Sequence, residues 1–478
     1  MAVKINSERA SRMEEENKSL KTIWLHFATN TTAHRFSQIV LTGSAVIKIF
    51  WLLTIFACQV GMFYQVEPLV KRYFIRPTQT KIYLREETNP VFPAITICNT
   101  INVKKGTLAE ELWNGMASNS YNFMAFVGDT SDGSLTPGRE QLKRYFEHLA
   151  AYEYLAQKHF ELGAGMYQYG HHFKDMIASC EWKSIYDCKN ETYWKQFWHW
   201  KHGNCFMFNS GYRNAGEEVL KVSDTGIGSG LSIKLNIEIA KYSFLANVAG
   251  IVMQVGEQGA MVDLTSRGTY LAPGFTHVVA LKKTRRIRAD PFENKSCGHH
   301  HKADLGKVSH GPRLLRKYSK QLCKKVCYSR NVIKRCGCVL YQLPSLDGNK
   351  TCSKAERKCL RPLAAAFKAG NLTCLKKCSL PCLENSHEIK LTSSKLYARN
   401  ISMVADNLLE IIVSFEDFET SIIEDEEYYR IENLLSDIGG QFGLWSGISV
   451  LTLIEFLVFI IYALFLCVSY IYGKLKNK

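Results

Sequence analysis

Two apolar runs, residues 45–66 and 443–473, constrain this 478-residue chain more than any other feature. A helix rises 1.5 Å per residue and needs about 20 residues to cross about 30 Å of hydrocarbon, so each run is long enough to span a bilayer. Lys48, inside the first, can snorkel to the interface. That run follows about 44 polar residues, which argues against a cleaved secretory leader. Lys4, Arg9, Arg12, Lys18, Lys21 and Arg35 precede it, and Lys474, Lys476 and Lys478 follow the second run. This distribution predicts both termini in the cytosol and residues 67–441 outside the cell.

Cysteine usage bears on the same topology. Cys58 and Cys467 lie in the apolar runs, which leaves 14 of the 16 cysteines outside them. An even number in an oxidising compartment suggests a disulfide framework. The zinc alternative, prompted by Cys336-Gly337-Cys338, belongs to reducing compartments. Sequons at Asn190, Asn294, Asn349, Asn371 and Asn400 lie in the outer segment, whereas those at Asn17 and Asn30 lie on the cytosolic side. A net charge of +16 raises nucleic acid as a partner. The basic stretches 281–288 and 314–335, however, fall among the outer cysteines, so they read as a solvated face and no nucleic acid is expected.

Residues 231–239 and 408–415 alternate as strands do, and 93–98 reads as another. Helical patterns occupy 138–157, 314–335 and 354–377. Cys323 and Cys327 are four apart, as are Cys374 and Cys378, so each pair shares a face if its segment is helical. Antiparallel packing would then join Cys323 to Cys378 and Cys327 to Cys374. The expected outer segment is one unit of β-sheet with peripheral helices.

The second apolar run is longer than one crossing needs, and Gly447-Ile448-Ser449 interrupts it. A broken turn exposes carbonyls, which are tolerated at membrane depth only where they line protein or water. Glu455 follows, and a carboxylate there faces either a pore or a partner such as Lys48. Upstream, between Glu416 and Asp437, nine acids stand against one base, Arg430. A negative mouth before a polar break concentrates cations. These features describe a cation pore whose constriction is the Gly-Ile-Ser step, enclosed by several copies of the helix.

With "FPAITICN" (92–99), "GNCFMFN" (203–209), "APGFTHVVAL" (272–281), "YSKQLCKKVCYSRNVIKRCGC" (318–338), "LPC" (380–382) and "LLSDIGGQFGLWSGISVLTLIE" (434–455) in order, the chain resembles the degenerin/epithelial sodium channel superfamily, which includes acid-sensing and peptide-gated channels. The resemblance implies an α+β membrane protein forming a trimeric channel, with two transmembrane helices and a large disulfide-rich extracellular β-sheet core. It implies amiloride-sensitive Na⁺ conduction at the plasma membrane, with Na⁺ as the permeant ion and no cofactor. The implied filter is Gly447, Ile448 and Ser449, and Glu455 is expected to line the pore. Gating roles fall on Ser436, Asp437, Tyr73, Phe292 and His34. The implied disulfides are Cys98–Cys205, Cys180–Cys188, Cys297–Cys382, Cys336–Cys359 and Cys338–Cys352, with the two rungs above. The domain expectation is a cytosolic segment at 1–44, a first span at 45–66, the outer domain at 67–441, a pore helix at 442–472 and a cytosolic tail at 473–478.

Two positions depart from the family pattern. Arg35 follows His34 where the family has glycine, a cation that implies either lowered conductance or a subunit that works only in a heteromer. Residues 360–373 lack the paired carboxylates of acid-sensing members and carry Arg361, so the expected stimulus is an extracellular ligand such as a neuropeptide. Constitutive or mechanical opening, an ATP-gated purinergic channel and a non-conducting auxiliary subunit are the rival readings. The histidines at 171–172 and 299–301 read as solvated loop residues. No nucleophile–base pair or phosphate-binding loop occurs at usable spacing, so no enzyme is expected.

Overall fold

The computed structural model describes residues 43–106, 154–155, 158, 162–211, 219–243, 246–289, 297–298, 308–310, 317–340, 342–343, 345–346, 351–352, 356–397 and 406–476. The chain divides into two compact units, Met1–Gln79 with Glu426–Lys478, and Thr80–Asp425.

The first unit is helical. Helix α1 (Ala45–Ile75) continues past the predicted end of its apolar run at residue 66. The added turns mix Glu67, Lys71 and Arg72 with Leu69, Val70, Phe74 and Ile75, and Lys71 pairs with Glu67 at 2.6 Å and i,i+4 spacing. Among the described residues α1 is the one helix that is by itself long and apolar enough to cross a membrane. The second apolar run is not one helix: Ile431–Ser446 and Val450–Lys476 are separate helices, bent by 79° at the break between them.

The second unit holds two main sheets. Their strands are β1 (Thr78–Glu86), β2 (Ala94–Asn99), β3 (Ile177–Trp182), β4 (Tyr186–Asp187), β5 (Trp194–His199), β6 (Gly203–Phe208), β7 (Leu231–Asn236), β8 (Ile251–Gly256), β9 (Thr269–Leu271), β10 (Phe275–Ile287), β11 (Leu383–Lys395) and β12 (Leu408–Glu427). One sheet runs β11-β10-β12-β7-β3-β4 with β1 added to β12, and the other runs β5-β6-β2-β8-β9. Every residue of β2 and β6 is buried, as suits central strands covered on both faces. Phe92 anchors the core, edge-on to Trp182 at 4.8 Å and to Phe415 at 6.2 Å.

Boundaries in this unit also differ from the sequence reading, and the helix expected over 314–335 starts at Lys320. The strand expected over 231–239 stops at Asn236, because Glu238 adopts a left-handed φ of 53° that turns the chain into a short 3-10 helix at Ile239–Lys241. The strand expected over 408–415 continues to Glu427 through a register shift between Leu281 and Lys283 of its parallel neighbour, and acids 416, 417 and 419 fall in that irregularity. The helix expected over 354–377 is α3 (Arg357–Lys368), followed by a 3-10 turn at Thr373–Lys377. The helix expected over 138–157 lies almost wholly outside the described residues.

Cys374 therefore sits on the 3-10 turn and Cys378 just beyond it, and the two do not share an α-helical face. They still meet α2 (Lys320–Cys336): Cys323 bonds Cys378 and Cys327 bonds Cys374, with Cα separations of 5.6 and 5.8 Å. The other five disulfides are Cys98–Cys205, Cys180–Cys188, Cys297–Cys382, Cys336–Cys359 and Cys338–Cys352, the pairs named by the resemblance. With their sulfurs joined, these 14 cysteines have no thiolate to offer zinc.

Candidate functional site

The helical unit is built around one close approach. A Cβ on Gly61 of α1 would lie 3.1 Å from the Trp445 ring, tighter than ordinary van der Waals contact, so glycine lets the indole approach the helix without displacement. The Trp445 Nε1–H reaches Gln441 Oε1 at 3.1 Å and Gln65 Oε1 at 3.3 Å. Gln59 Nε2 donates to Ser446 Oγ at 2.9 Å, and Ser446 Oγ approaches Met62 Sδ at 3.6 Å. These contacts fix the last turn of α4 (Ile431–Ser446) against α1.

Directly after that turn the chain breaks. Gly447 adopts φ 66° and ψ 20°, a left-handed cap that a side chain would strain by roughly 1–2 kcal/mol. Its N–H still reaches the Gly443 carbonyl at 3.1 Å, and the Ile448 N–H reaches that of Phe442 at 3.3 Å. Ser449 then starts α5 (Val450–Lys476). Its Oγ accepts the Thr452 N–H at 3.3 Å, while Thr452 Oγ1 accepts the Ser449 N–H at 3.2 Å. This reciprocal arrangement is a capping box with threonine in the returning position. Thr452 is fully buried, Ser449 is exposed and Glu455 on the same helix is half-buried. A cavity of about 480 Å³ opens here, lined by Ile55, Cys58 and Gln59 of α1 and by residues 443–449.

At the start of α4, the Tyr429 hydroxyl donates to Asp437 Oδ2 at 2.6 Å, and the Arg72 guanidinium lies 5.8 Å from the Tyr429 ring. Burial, reinforced by this bond to a carboxylate, pushes the phenol pKa up to about 12. Ser436, beside Asp437, is exposed.

Of the acids before α4, Glu427 pairs with Arg76 at 3.8 Å, Asp417 with Lys282 at 3.0 Å and Glu416 with Lys390 at 3.3 Å, whereas three others are held by neutral donors. Tyr83 OH donates to Glu424 at 2.9 Å, Thr80 Oγ1 to Asp425 at 2.7 Å and Gln79 Nε2 to Glu426 at 2.8 Å. Such bonds position carboxylates without cancelling their charge, so this end of β12 stays negative. Farther up, Lys283 bonds Glu87 at 2.7 Å and Thr420 Oγ1 donates to the same carboxylate at 3.0 Å. Burial opposes ionisation of Glu87, yet these two partners outweigh it and hold the pKa below the usual value.

Of the other expected site residues, Tyr73 packs edge-on against its neighbour Phe74 at 5.6 Å. Phe292, His34, Asn294, Asn349 and Asn400 lie outside the described residues. Asn190 and Asn371 are exposed, and the Asn190 oxygen accepts the Thr192 N–H at 3.0 Å. His171 is not a solvated loop residue: it is 1% exposed, with Nδ1 2.8 Å from Glu238. Desolvation holds its pKa below the ordinary value despite that carboxylate.

Sequence reasoning overlooked Thr452, Gly61, Trp445 and Tyr429. The Ser-x-x-Thr spacing from 449 to 452 was a usable signal for the first, since it sits where a capping box starts a helix. The contacts of Gly61 and Tyr429 join positions hundreds of residues or a helical turn apart, and no local pattern announces them.

The sequence profile of the family described as amiloride-sensitive sodium channel matches residues 27–459. Acid-sensing ion channel 2 of Homo sapiens is 25% identical over 477 residues, covering 95% of this chain and 86% of its own length. Acid-sensing ion channel 1A of Danio rerio is 25% identical over 455 residues, covering 90% and 86%. Acid-sensing ion channel 1 of Gallus gallus is 25% identical over 470 residues, covering 92% and 84%.

Proposed function

Because the chain belongs to the amiloride-sensitive sodium channel family, whose members are ion channels and not enzymes, we propose that it is one subunit of a trimeric, sodium-selective, amiloride-blocked channel of the plasma membrane. Both termini are cytosolic, α1 and the broken pair α4–α5 are the two spans, and residues 67–441 face outward. Copies of Gly447, Ile448 and Ser449 around one axis form the constriction, and Glu455 lines the path beyond it. Three copies enclose a path that a single broken helix cannot.

The observation that carries this reading is the break itself. A left-handed glycine ends one apolar helix and a serine begins the next, at a 79° bend. Irregular backbone at membrane depth is stable only beside protein or water, and its carbonyls and hydroxyls suit a partly dehydrated cation. The row of uncancelled carboxylates at Glu424, Asp425 and Glu426 supports cation enrichment at the entrance.

Gating is from the outer side by a ligand such as a neuropeptide. Supporting this, the segment between Cys359 and Cys374 carries Arg361 and no carboxylate. Ser436, Asp437, Tyr73, Phe292 and His34 act in gating. A second reading, conduction only in a heteromer with a related subunit, is favoured by Arg35 in place of the family glycine.

The test is expression in an otherwise silent cell, with amiloride, acid, peptides and stretch applied in turn. Ser449→Cys is expected to change the Na⁺ over K⁺ preference. Unchanged selectivity in a conducting Ser449→Cys channel overturns the assignment of the constriction.

A further inference from the structure

We propose that the disulfide-bonded hairpin of α2 and α3 is a docking surface for a sulfated glycosaminoglycan, a linear polyanion of the cell surface; this rests on the reading that residues 67–441 face outward. Residues 317–377 carry fifteen Lys and Arg against two acids, Asp347 and Glu356, a net of +13 in a chain whose total is +16. This concentration of charge is local.

Lys317 pairs with Glu257 at 2.7 Å and Lys325 with Asp263 at 3.4 Å, and both acids lie outside the hairpin in the segment after β8. Farther along, Lys334, Arg335, Lys358, Arg361, Lys368 and Lys376 are exposed, and among the described residues none forms an ion pair. On α3, Lys358, Arg361 and Lys368 follow i, i+3, i+10 spacing and share the face opposite Leu363, which is 1% exposed. Like charges at such spacing repel, and a bound anion relieves that cost.

The chemistry of the face selects a polysaccharide over a protein. Protein interfaces depend on apolar and aromatic anchors at their centre. Here the apolar side chains are turned inward: Leu322, Val326, Val332, Leu363 and Leu372 are buried, and Phe367 stacks on Tyr328 at 4.5 Å. Among the described residues 317–379 no large hydrophobic side chain is exposed. What remains is a rigid ridge of spaced cations, about 25 Å long over the 17 residues of α2 alone. A chain of regularly spaced sulfates matches it without needing a pocket.

The experiment measures binding of the full-length solubilised protein to immobilised heparin across a salt series. Two triple variants of equal charge change are compared: Lys358→Gln with Arg361→Gln and Lys368→Gln on the hairpin, and Lys174→Gln with Lys195→Gln and Lys221→Gln elsewhere on the same unit. The hairpin variant is expected to bind about tenfold or more weakly near physiological salt, with a log–log salt slope smaller by about three, as lost phosphate-type contacts predict. The control variant is expected to match the parent. Equal weakening in both variants, or in neither, overturns the proposal, and so does displacement by polyglutamate as effective as displacement by heparin at equal charge. Retained thermal unfolding in each variant separates lost binding from lost folding. The readout needs no current, so failure of the channel reading and failure of this one are distinguishable.

Discussion

Ser449 and Thr452 cap each other across the first turn of α5, each backbone N–H bonded to the other's hydroxyl at 3.2–3.3 Å. The serine hydroxyl at the proposed constriction is thus tied to the helix that follows. Thr452→Val keeps the volume and removes the acceptor, leaving the Ser449 N–H unmet at a cost of about 1 kcal/mol. The expected outcome is a conducting channel with weakened Na⁺ over K⁺ preference, read from reversal potentials. Thr452→Ser is expected to restore it. Loss of preference in Ser449→Cys without any change in Thr452→Val would mean that the cap has no part in ion choice.

Gly61 faces Trp445 with little room for a Cβ. In Gly61→Ala the new methyl sits 3.1 Å from the ring, so the indole must move and its bonds to Gln65 and Gln441 stretch. Overpacking of this kind costs about 1–3 kcal/mol. Whole-cell current is expected to fall while surface biotinylation stays near the parent level. Currents indistinguishable from the parent would show that α1 and the end of α4 do not need their close approach.

Tyr429 and Asp437 form a bond of 2.6 Å beside Ser436. Tyr429→Phe and Asp437→Asn are each expected to shift the stimulus–response curve. Because the two groups act as one unit, the double variant should shift it no further than the larger single change, and a coupling of about 1.5–3 kcal/mol is expected from a hydrogen bond to a charged group. Additive shifts in that cycle would show the bond to be idle in gating.

Acid should loosen the unit of residues 80–425. His202 is 1% exposed, and burial, with help from Lys201, pushes its pKa down to about 4. The unfolded chain then binds a proton that the folded chain refuses, so stability is full above about pH 6.5 and falls as pH drops, levelling off below about 4. For this residue the loss is up to about 3 kcal/mol. His199, stacked on it at 5.2 Å and pushed down to about 3, acts in the same direction. Tm measured from pH 7.5 to 4.5 is expected to decline in the parent and to decline less in His202→Gln. A flat profile in the parent would contradict the burial.

Local patterns in the sequence carried a large part of this structure. Alternation on β7 put Leu231, Ile233 and Leu235 inward, as the structure has them. The interruption at 447–449 was readable because a glycine and a serine flank one residue within an apolar run. The failures have different causes. His171 is buried against Glu238, 67 residues away, a contact that no local window contains. The helix expected over 354–377 ended early at Gly370-Asn371, where local breakers were present but the cysteine spacing suggested continuity. The 3-10 turn that follows brings Cys374 and Cys378 to α2 by a different geometry, so the rung pairing did not require the helix from which it was inferred.

Cys58, a free thiol, shares its cavity with residues 443–449. Covalent probes aimed at the constriction will therefore find a native target on the wall of the same chamber. Labelling of an engineered Ser449→Cys channel has meaning only against a background in which Cys58 has been replaced. Conversely, modification of the parent at Cys58 by reagents of graded size would gauge how wide that chamber stands while the channel rests.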